Sequence, residues 1–182
     1  METEYEVRIL DIDKEEIIQK LEQIKAKKIG TYFQRRYVYD FHPEVKGKWI
    51  RLRTNGERTT FTIKDRFNPC VIGGVNELEI EVEDFDKMNQ MLEELGYIAK
   101  TYQENKRETY KVEDAEFDID SWPMIPTYLE IEGKNQESVE KYIDLLGLKE
   151  KTITLEGCTD IYQRYGYDLH SYQKLTFEEE QV

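Results

Sequence analysis

An α+β fold built on about eight mostly antiparallel strands is the class this sequence predicts, because three kinds of signal recur along it. Aliphatic and aromatic residues alternate with polar ones at period two in eight separate segments. Three other segments carry apolar residues at helical spacing. Asn55-Gly56 lies between two of the alternating runs, where a hairpin needs a residue with positive φ.

The strands are expected at 4–9, 32–41, 49–53, 59–64, 77–82, 102–112, 116–120 and 128–132. A first helix is expected from about Lys14 to Lys27, with Ile17, Ile18, Leu21 and Ile24 on one face. A second runs from Asp86 to Leu95 and stops at Gly96; a third carries Val139, Tyr142, Ile143 and Leu146 and stops at Gly147. A short fourth is expected near 159–165, and the loop 66–76, with Pro69, Gly73 and Gly74, as a mobile connection. Trp122-Pro123 marks a turn between strands. Eight strands are enough for a sheet to close into a barrel.

The 182 residues fit one domain over 1–170, with an acidic solvated tail over 171–182. Apolar residues make up 38% and charged residues 36%, and the net charge is −13. That outer field argues against nucleic acid or an anionic membrane as a partner. No apolar run is long enough to span a bilayer, and the acidic N-terminus does not resemble a signal peptide, so a cytoplasmic location is expected. Cys70 and Cys158 lack metal-ligand spacing and read as free thiols.

The charged residues are placed in order. Glu4, Glu6 and Arg8 share one face of the first strand, opposite Tyr5, Val7 and Ile9. Arg51 and Arg53, then Lys64 behind Thr62, then Glu77, Glu79 and Glu81, repeat the alternation. Asp118 and Asp120, and Glu130 and Glu132, complete it. On any single strand, a charged face most simply meets water. Carboxylates and lysine are poor strand formers, however, and their repetition on five strands, beside helices that need apolar partners, favours an inverted arrangement. Helices then cover the barrel's apolar outside, and the charged faces line a hydrated lumen. Basic forks there suit phosphate oxygens, and clustered carboxylates suit hard divalent cations.

Glu4-Tyr5-Glu6-Val7-Arg8 resembles the E-x-E-x-K opening of the CYTH proteins, or triphosphate tunnel metalloenzymes. The likeness continues in order through Arg51-Leu52-Arg53, Thr62-Ile63-Lys64, Glu77 to Glu81, Arg107, Asp118-Ile119-Asp120 and Tyr128 to Glu132. The resemblance implies an eight-stranded antiparallel tunnel that binds a small-molecule triphosphate and requires Mg²⁺ or Mn²⁺. It implies Glu4, Glu6, Asp120, Glu130 and Glu132 as metal ligands, and Arg8, Arg51, Arg53, Lys64 and Arg107 as phosphate contacts. Glu4, Glu6 and Arg8 are the implied catalytic residues, and a homodimer is left open. Glu79 and Asp118 line the tunnel without an assigned role. Three positions depart from the pattern: Arg8 replaces the motif lysine, Arg36 stands where many members carry an acid, and Asn105 stands where a second base often precedes Arg107.

The leading expectation is a metal-dependent triphosphatase acting on tripolyphosphate or on a nucleoside or thiamine triphosphate. A class IV adenylate cyclase, or a module that binds without turnover, keeps the tunnel and changes the outcome. His42 and His170 read as surface residues and no P-loop is present. Tyr162, Tyr165, Tyr167 and Tyr172 read as packing rather than a base-stacking platform.

Overall fold

In the computed structural model, which describes residues 1–177, the eight expected strands are present. They are β1 (Glu2–Leu10), β2 (Lys27–Asp40), β3 (Lys48–Thr54), β4 (Thr59–Arg66), β5 (Val75–Val82), β6 (Thr101–Lys111), β7 (Ala115–Ser121) and β8 (Tyr128–Gly133). They pair in the order β6-β2-β3-β4-β5-β1-β8-β7, and β7 returns to β6. Every pairing around this circuit is antiparallel, so the sheet closes into an eight-stranded barrel without a free edge. Two short strands add to it: β9 (Thr152–Thr154) pairs with β1, and β10 (Lys174–Leu175) runs parallel to β6.

Among the described residues four α-helices, α1 (Lys14–Gln23), α2 (Phe85–Glu94), α3 (Gln136–Leu145) and α4 (Cys158–Arg164), and a short 3-10 helix (Leu169–Ser171) complete the fold. Asp13, Asp84 and Asn135 cap the first three, their side-chain oxygens accepting from the N–H of Glu16, Lys87 and Ser138. Gly96 and Gly147 follow α2 and α3 at φ 87° and 62°, the left-handed conformation that stops a helix. α1 ends before the expected Lys27. Lys25 turns to φ 59°, and from Lys27 onward the chain is committed to a long pairing between β2 and β6. Tertiary pairing here overrides helical spacing.

Two of the apolar clusters lie outside the barrel. Ile17 and Leu21 of α1, and Val139, Tyr142 and Ile143 of α3, pack on Val7, Ile9, Phe117, Ile119, Leu129 and Ile131. Phe85 and Leu92 of α2 pack on Tyr39, Ile50 and Leu52. A third cluster joins Leu10, Trp122 and Tyr128 to Ile161, Tyr162, Leu169 and Leu175 from the C-terminal segment. On β5, Leu78 and Ile80 are 51% and 57% exposed, whereas Glu77 and Glu79, which alternate with them, are half-buried. The carboxylates, not the aliphatic side chains, face the barrel interior on this strand.

The segment from 171 onward is not all tail, because β10 pairs with β6 and Leu175 is buried. Its hydrophobic side chain fills a gap beside Tyr162 and Leu169 that a solvated chain would leave open. Residues 178–182, the most acidic part of that expected tail, lie outside the described residues. The connection between β4 and β5 is held by backbone hydrogen bonds from Asn68 to Gly74 (3.1 Å) and from Gly74 to Val71 (3.1 Å). Cys70 and Cys158 are free thiols. Among the described residues no helix is long and apolar enough to cross a membrane.

Candidate functional site

Each of the eight barrel strands contributes to the lining of one cavity of about 490 Å³. Because side chains alternate along a strand, the inward face of each is read off every second residue. Glu4, Glu6 and Arg8 enter from β1, Arg51 and Arg53 from β3, Lys64 from β4 and Arg107 from β6. Asp120 enters from β7, and Glu130 and Glu132 from β8. All ten residues singled out in the sequence therefore meet in one cavity. A second cavity of about 360 Å³ shares Glu6, Arg8, Arg36, Arg51, Lys64 and Cys158 with the first. Val38, Val45, Trp49, Lys48, Lys100 and His170 add to its walls.

Register decides which charges touch. Glu6 pairs with Glu132 and Arg8 with Glu130 across β1 and β8, while Arg107 pairs with Asp120 across β6 and β7. Arg107 Nη1 lies 2.6 Å from Asp118, Nη2 lies 2.5 Å from Asp120 and 3.2 Å from Glu130, and Nε donates to Asp120 at 2.8 Å. Arg8 Nη2 lies 2.8 Å from Glu6 and 2.7 Å from Glu130, and its Nη1 donates to the Glu156 carbonyl. Lys64 Nζ donates to both oxygens of Glu4 at 2.7 and 2.9 Å and lies 2.9 Å from Glu77. Burial pulls the Arg8 and Arg107 guanidinium pKa values down, but these carboxylates more than restore them.

The other basic residues are held loosely. Arg51 approaches Glu77 and Glu79 only to 3.5 Å, and its Nε has no hydrogen-bond partner. Arg53 reaches Glu79 at 4.0 Å. Burial, and then the charges of Arg51, Arg107 and Arg36, pull the Arg53 guanidinium down to about 9. The cavity thus has a side where positive charge is compensated and a side, along β2 and β3, where it is not.

The acids divide similarly. Burial would raise Glu130, but Arg8 and then Arg107 hold it well below the ordinary carboxylate range. Burial, opposed by Lys64 and reinforced by Glu6 and Glu77, pushes Glu4 up, while at Glu77 burial is outweighed by Lys64 and then Arg51, which bring it down. Glu132 has no hydrogen bond or ion pair among the described residues, and burial followed by the charges of Glu6, Glu130 and Glu116 pushes it up to about 7. Among the described residues no three acidic, histidine or cysteine side chains are drawn together as a ready-made metal site.

Glu132 has a consequence for stability. The folded protein holds its proton to about pH 7, whereas the unfolded chain releases it near the ordinary value of 4.5. The folded state binds more protons in that window, so this residue lowers stability as pH rises through it. Its side chain reaches water in the cavity, which trims the effect. Urea unfolding in chelator is expected to show Glu132→Gln more stable than the parent by about 1 kcal/mol at pH 8, and unchanged at pH 4.5. A less stable variant at pH 8 would contradict the uncompensated charge.

Several lining residues escaped the sequence reading, among them Arg58, Glu116, Trp122 and Cys158. Glu116 and Trp122 continue the alternation of Asp118 and Asp120, and that period was the signal for both. Trp122 does follow the end of β7, but its buried ring also forms cavity wall beneath Arg36, whose guanidinium carbon stands 4.6 Å from the ring centroid. Cys158, at the start of α4, reaches the cavity by a tertiary route with no local signature. The two departures at positions 36 and 105 meet each other: Arg36 donates to the Asn105 side-chain oxygen, and Asn105 donates to Asp120 at 3.0 Å. His42 is exposed beside the Tyr97 ring, and Tyr162 is core, donating to the Pro123 carbonyl at 2.6 Å.

The model of the CYTH domain family matches residues 2–161. A Methanocaldococcus jannaschii relative, MJ0240, named as a candidate adenylate cyclase, is 27% identical over 143 residues, 76% of this chain and 81% of the relative. The PH1012 protein from Pyrococcus horikoshii OT3 has the same fold, with a TM-score of 0.74 at 24% identity over 85% of this chain and 96% of that one. HpAC1 from Hippeastrum, described as an adenylyl cyclase candidate with a dominant triphosphatase activity, gives 0.59 at 17% identity over 91% and 96%. With the closed barrel and the ordered charged strands, the match over most of its length shows that this chain belongs to the CYTH domain family.

Proposed function

We propose that this protein binds a linear triphosphate in the barrel cavity, together with Mg²⁺ or Mn²⁺, and hydrolyses its terminal phosphoanhydride bond. The observation that carries the reading is the uneven charge of the cavity: loosely paired arginines on β3 face carboxylates on β1 and β8. An anion of several charges at Arg51 and Arg53 offsets the mutual repulsion of these arginines. Cavities of this size suit small ligands.

The carboxylates fit a hard cation in donor chemistry, being oxygen ligands with uncompensated charge on Glu132. Magnesium commonly uses one or two carboxylates plus substrate phosphate oxygens, so it does not require a complete protein cage. Among the described residues Glu132 has no ion pair, and Glu4 and Glu6 have one each, to Lys64 and to Arg8, so these are the residues we assign to hold it; Glu130 is shared by Arg8 and Arg107, and Asp120 accepts from Arg107 and Asn105, so they take a supporting part. When bound, such a cation neutralises phosphate oxygens and acidifies bound water.

The chain's own contribution is positioning and electrostatics. Arg51 and Arg53 hold non-reacting phosphate oxygens. Lys64 and Arg8 stabilise charge as water attacks the terminal phosphorus and the bridging P–O bond breaks. Arg107 fixes the acidic wall. No side-chain base is needed in this scheme.

A second reading keeps the cavity and changes the nucleophile to a ribose hydroxyl, giving cyclic AMP and pyrophosphate. The name of MJ0240 favours it, and the adjoining cavity with Val38, Val45 and Trp49 has room for an organic group. Product analysis separates the readings: hydrolysis releases orthophosphate, cyclisation releases pyrophosphate, and a binding module releases neither.

A further inference from the structure

Arg36 and Arg53 stand directly opposite each other across β2 and β3, and both side chains enter the cavity. Like charges at such a position repel, and the usual remedy is a carboxylate between them. Arg36 has none: no acidic side chain lies within ion-pair distance of it among the described residues. Its relative exposure is 8%, so water does little to compensate. Its Nη2 donates to the neutral side-chain oxygens of Gln34 (3.0 Å) and Asn105, and its Nε has no partner at all. Beneath it lies Trp122, whose own buried Nε1 is also without a partner. Burial, and then the charges of Arg51 and Arg107, bring the Arg36 guanidinium down to about 10.

A buried arginine of this kind is costly unless something anionic completes it. Gln34, Asn105 and Trp122 fix the plane of the fork without neutralising it, which leaves the charge oriented and available. We infer that Arg36 is a further phosphate-contacting residue, completing with Arg53 a two-arginine clamp on one phosphoryl group, with Gln34, Asn105 and Trp122 as its positioning residues. This rests on the triphosphate reading above and adds to it a contact on β2 that the ordered family motifs do not contain.

The test uses the full chain and a non-hydrolysable imido analogue of tripolyphosphate, with Mg²⁺ present. Affinities are measured by calorimetry for the parent, Arg36→Gln, Arg36→Lys and, as reference, Arg51→Ala, after thermal melts have shown each folded. Arg36→Gln is expected to bind roughly ten- to a hundred-fold more weakly, the range for a charge-assisted hydrogen bond, with Arg36→Lys recovering part of the loss. Affinity of Arg36→Gln within two-fold of the parent, with Arg51→Ala weakened, would overturn the inference while leaving the triphosphate site standing. No affinity in the parent would overturn both. Should Arg36→Gln not fold, indole emission gives an independent reading. The chain has 2 tryptophans, so Trp49→Phe leaves Trp122 as reporter. Titrating the analogue into that variant is expected to change its emission as Arg36 turns to the phosphoryl group. An unchanged emission at saturation would overturn the inference.

Discussion

Arg107→Met is expected to cost about 3–5 kcal/mol of folding stability at neutral pH, the range for removing one partner of a buried ionic group. The guanidinium sits among Asp118, Asp120 and Glu130, and it is the shared partner that lets three carboxylates crowd one wall of the barrel. The Asp118 and Asp120 side chains are 5% and 1% exposed, so neither can turn to water when the arginine is gone. The deficit should shrink at lower pH. Burial already raises the Asp118 pKa in spite of Arg107, and without that charge it rises further, so acid neutralises the wall. Urea unfolding at pH 8 and pH 5.5 measures both effects. A loss below 1 kcal/mol, or a larger loss at the lower pH, would show that Arg107 is not the keystone of that wall.

Glu4→Gln is expected to reduce triphosphate turnover about a thousand-fold while changing ligand affinity by less than about ten-fold, since charge stabilisation by a bound cation is worth several kcal/mol. The substitution keeps the side chain's size and removes the charge that joins β1 to Lys64 on β4. Lys64 retains Glu77 at 2.9 Å, so the barrel wall stays closed and the phosphate contacts remain. Removing a negative charge beside a polyanion does not weaken attraction for it. What is lost is an oxygen donor of full charge next to Glu6. Steady-state kinetics with Mg²⁺, beside calorimetric affinity, separates the two quantities. Turnover above a tenth of the parent's would remove Glu4 from the cation site.

Much of this architecture was legible in the chain because a barrel strand writes its two faces at period two. The alternation from Glu4 to Ile9, or from Glu77 to Val82, specifies which side chains share a face, and closure of the sheet then brings those faces together. The direction of the faces was less accessible. On β5 the exposed aliphatics and half-buried glutamates follow from the closed circuit, not from any local preference. The strands β9 and β10 are two or three residues long and show no period at all.

Roles within the site were hidden for the same reason. Arg8, Lys64 and Arg107 look like Arg51 and Arg53 in sequence, yet the first three are saturated by carboxylates and the last two are not. That distinction depends on cross-strand register, such as Arg107 opposite Asp120 and Arg36 opposite Arg53, between residues distant in the chain. The same register explains why Arg36 and Asn105, separate departures in sequence, form one hydrogen-bonded unit in space.

The most direct test of a catalytic triphosphate tunnel is product release by the parent protein from tripolyphosphate, ATP and thiamine triphosphate, with Mg²⁺, with Mn²⁺ and with chelator. Orthophosphate, pyrophosphate and cyclic AMP are followed together. The account predicts orthophosphate from at least one of these substrates, abolished by chelator. Cyclic AMP with pyrophosphate, or no product under any metal despite measurable binding, would contradict it.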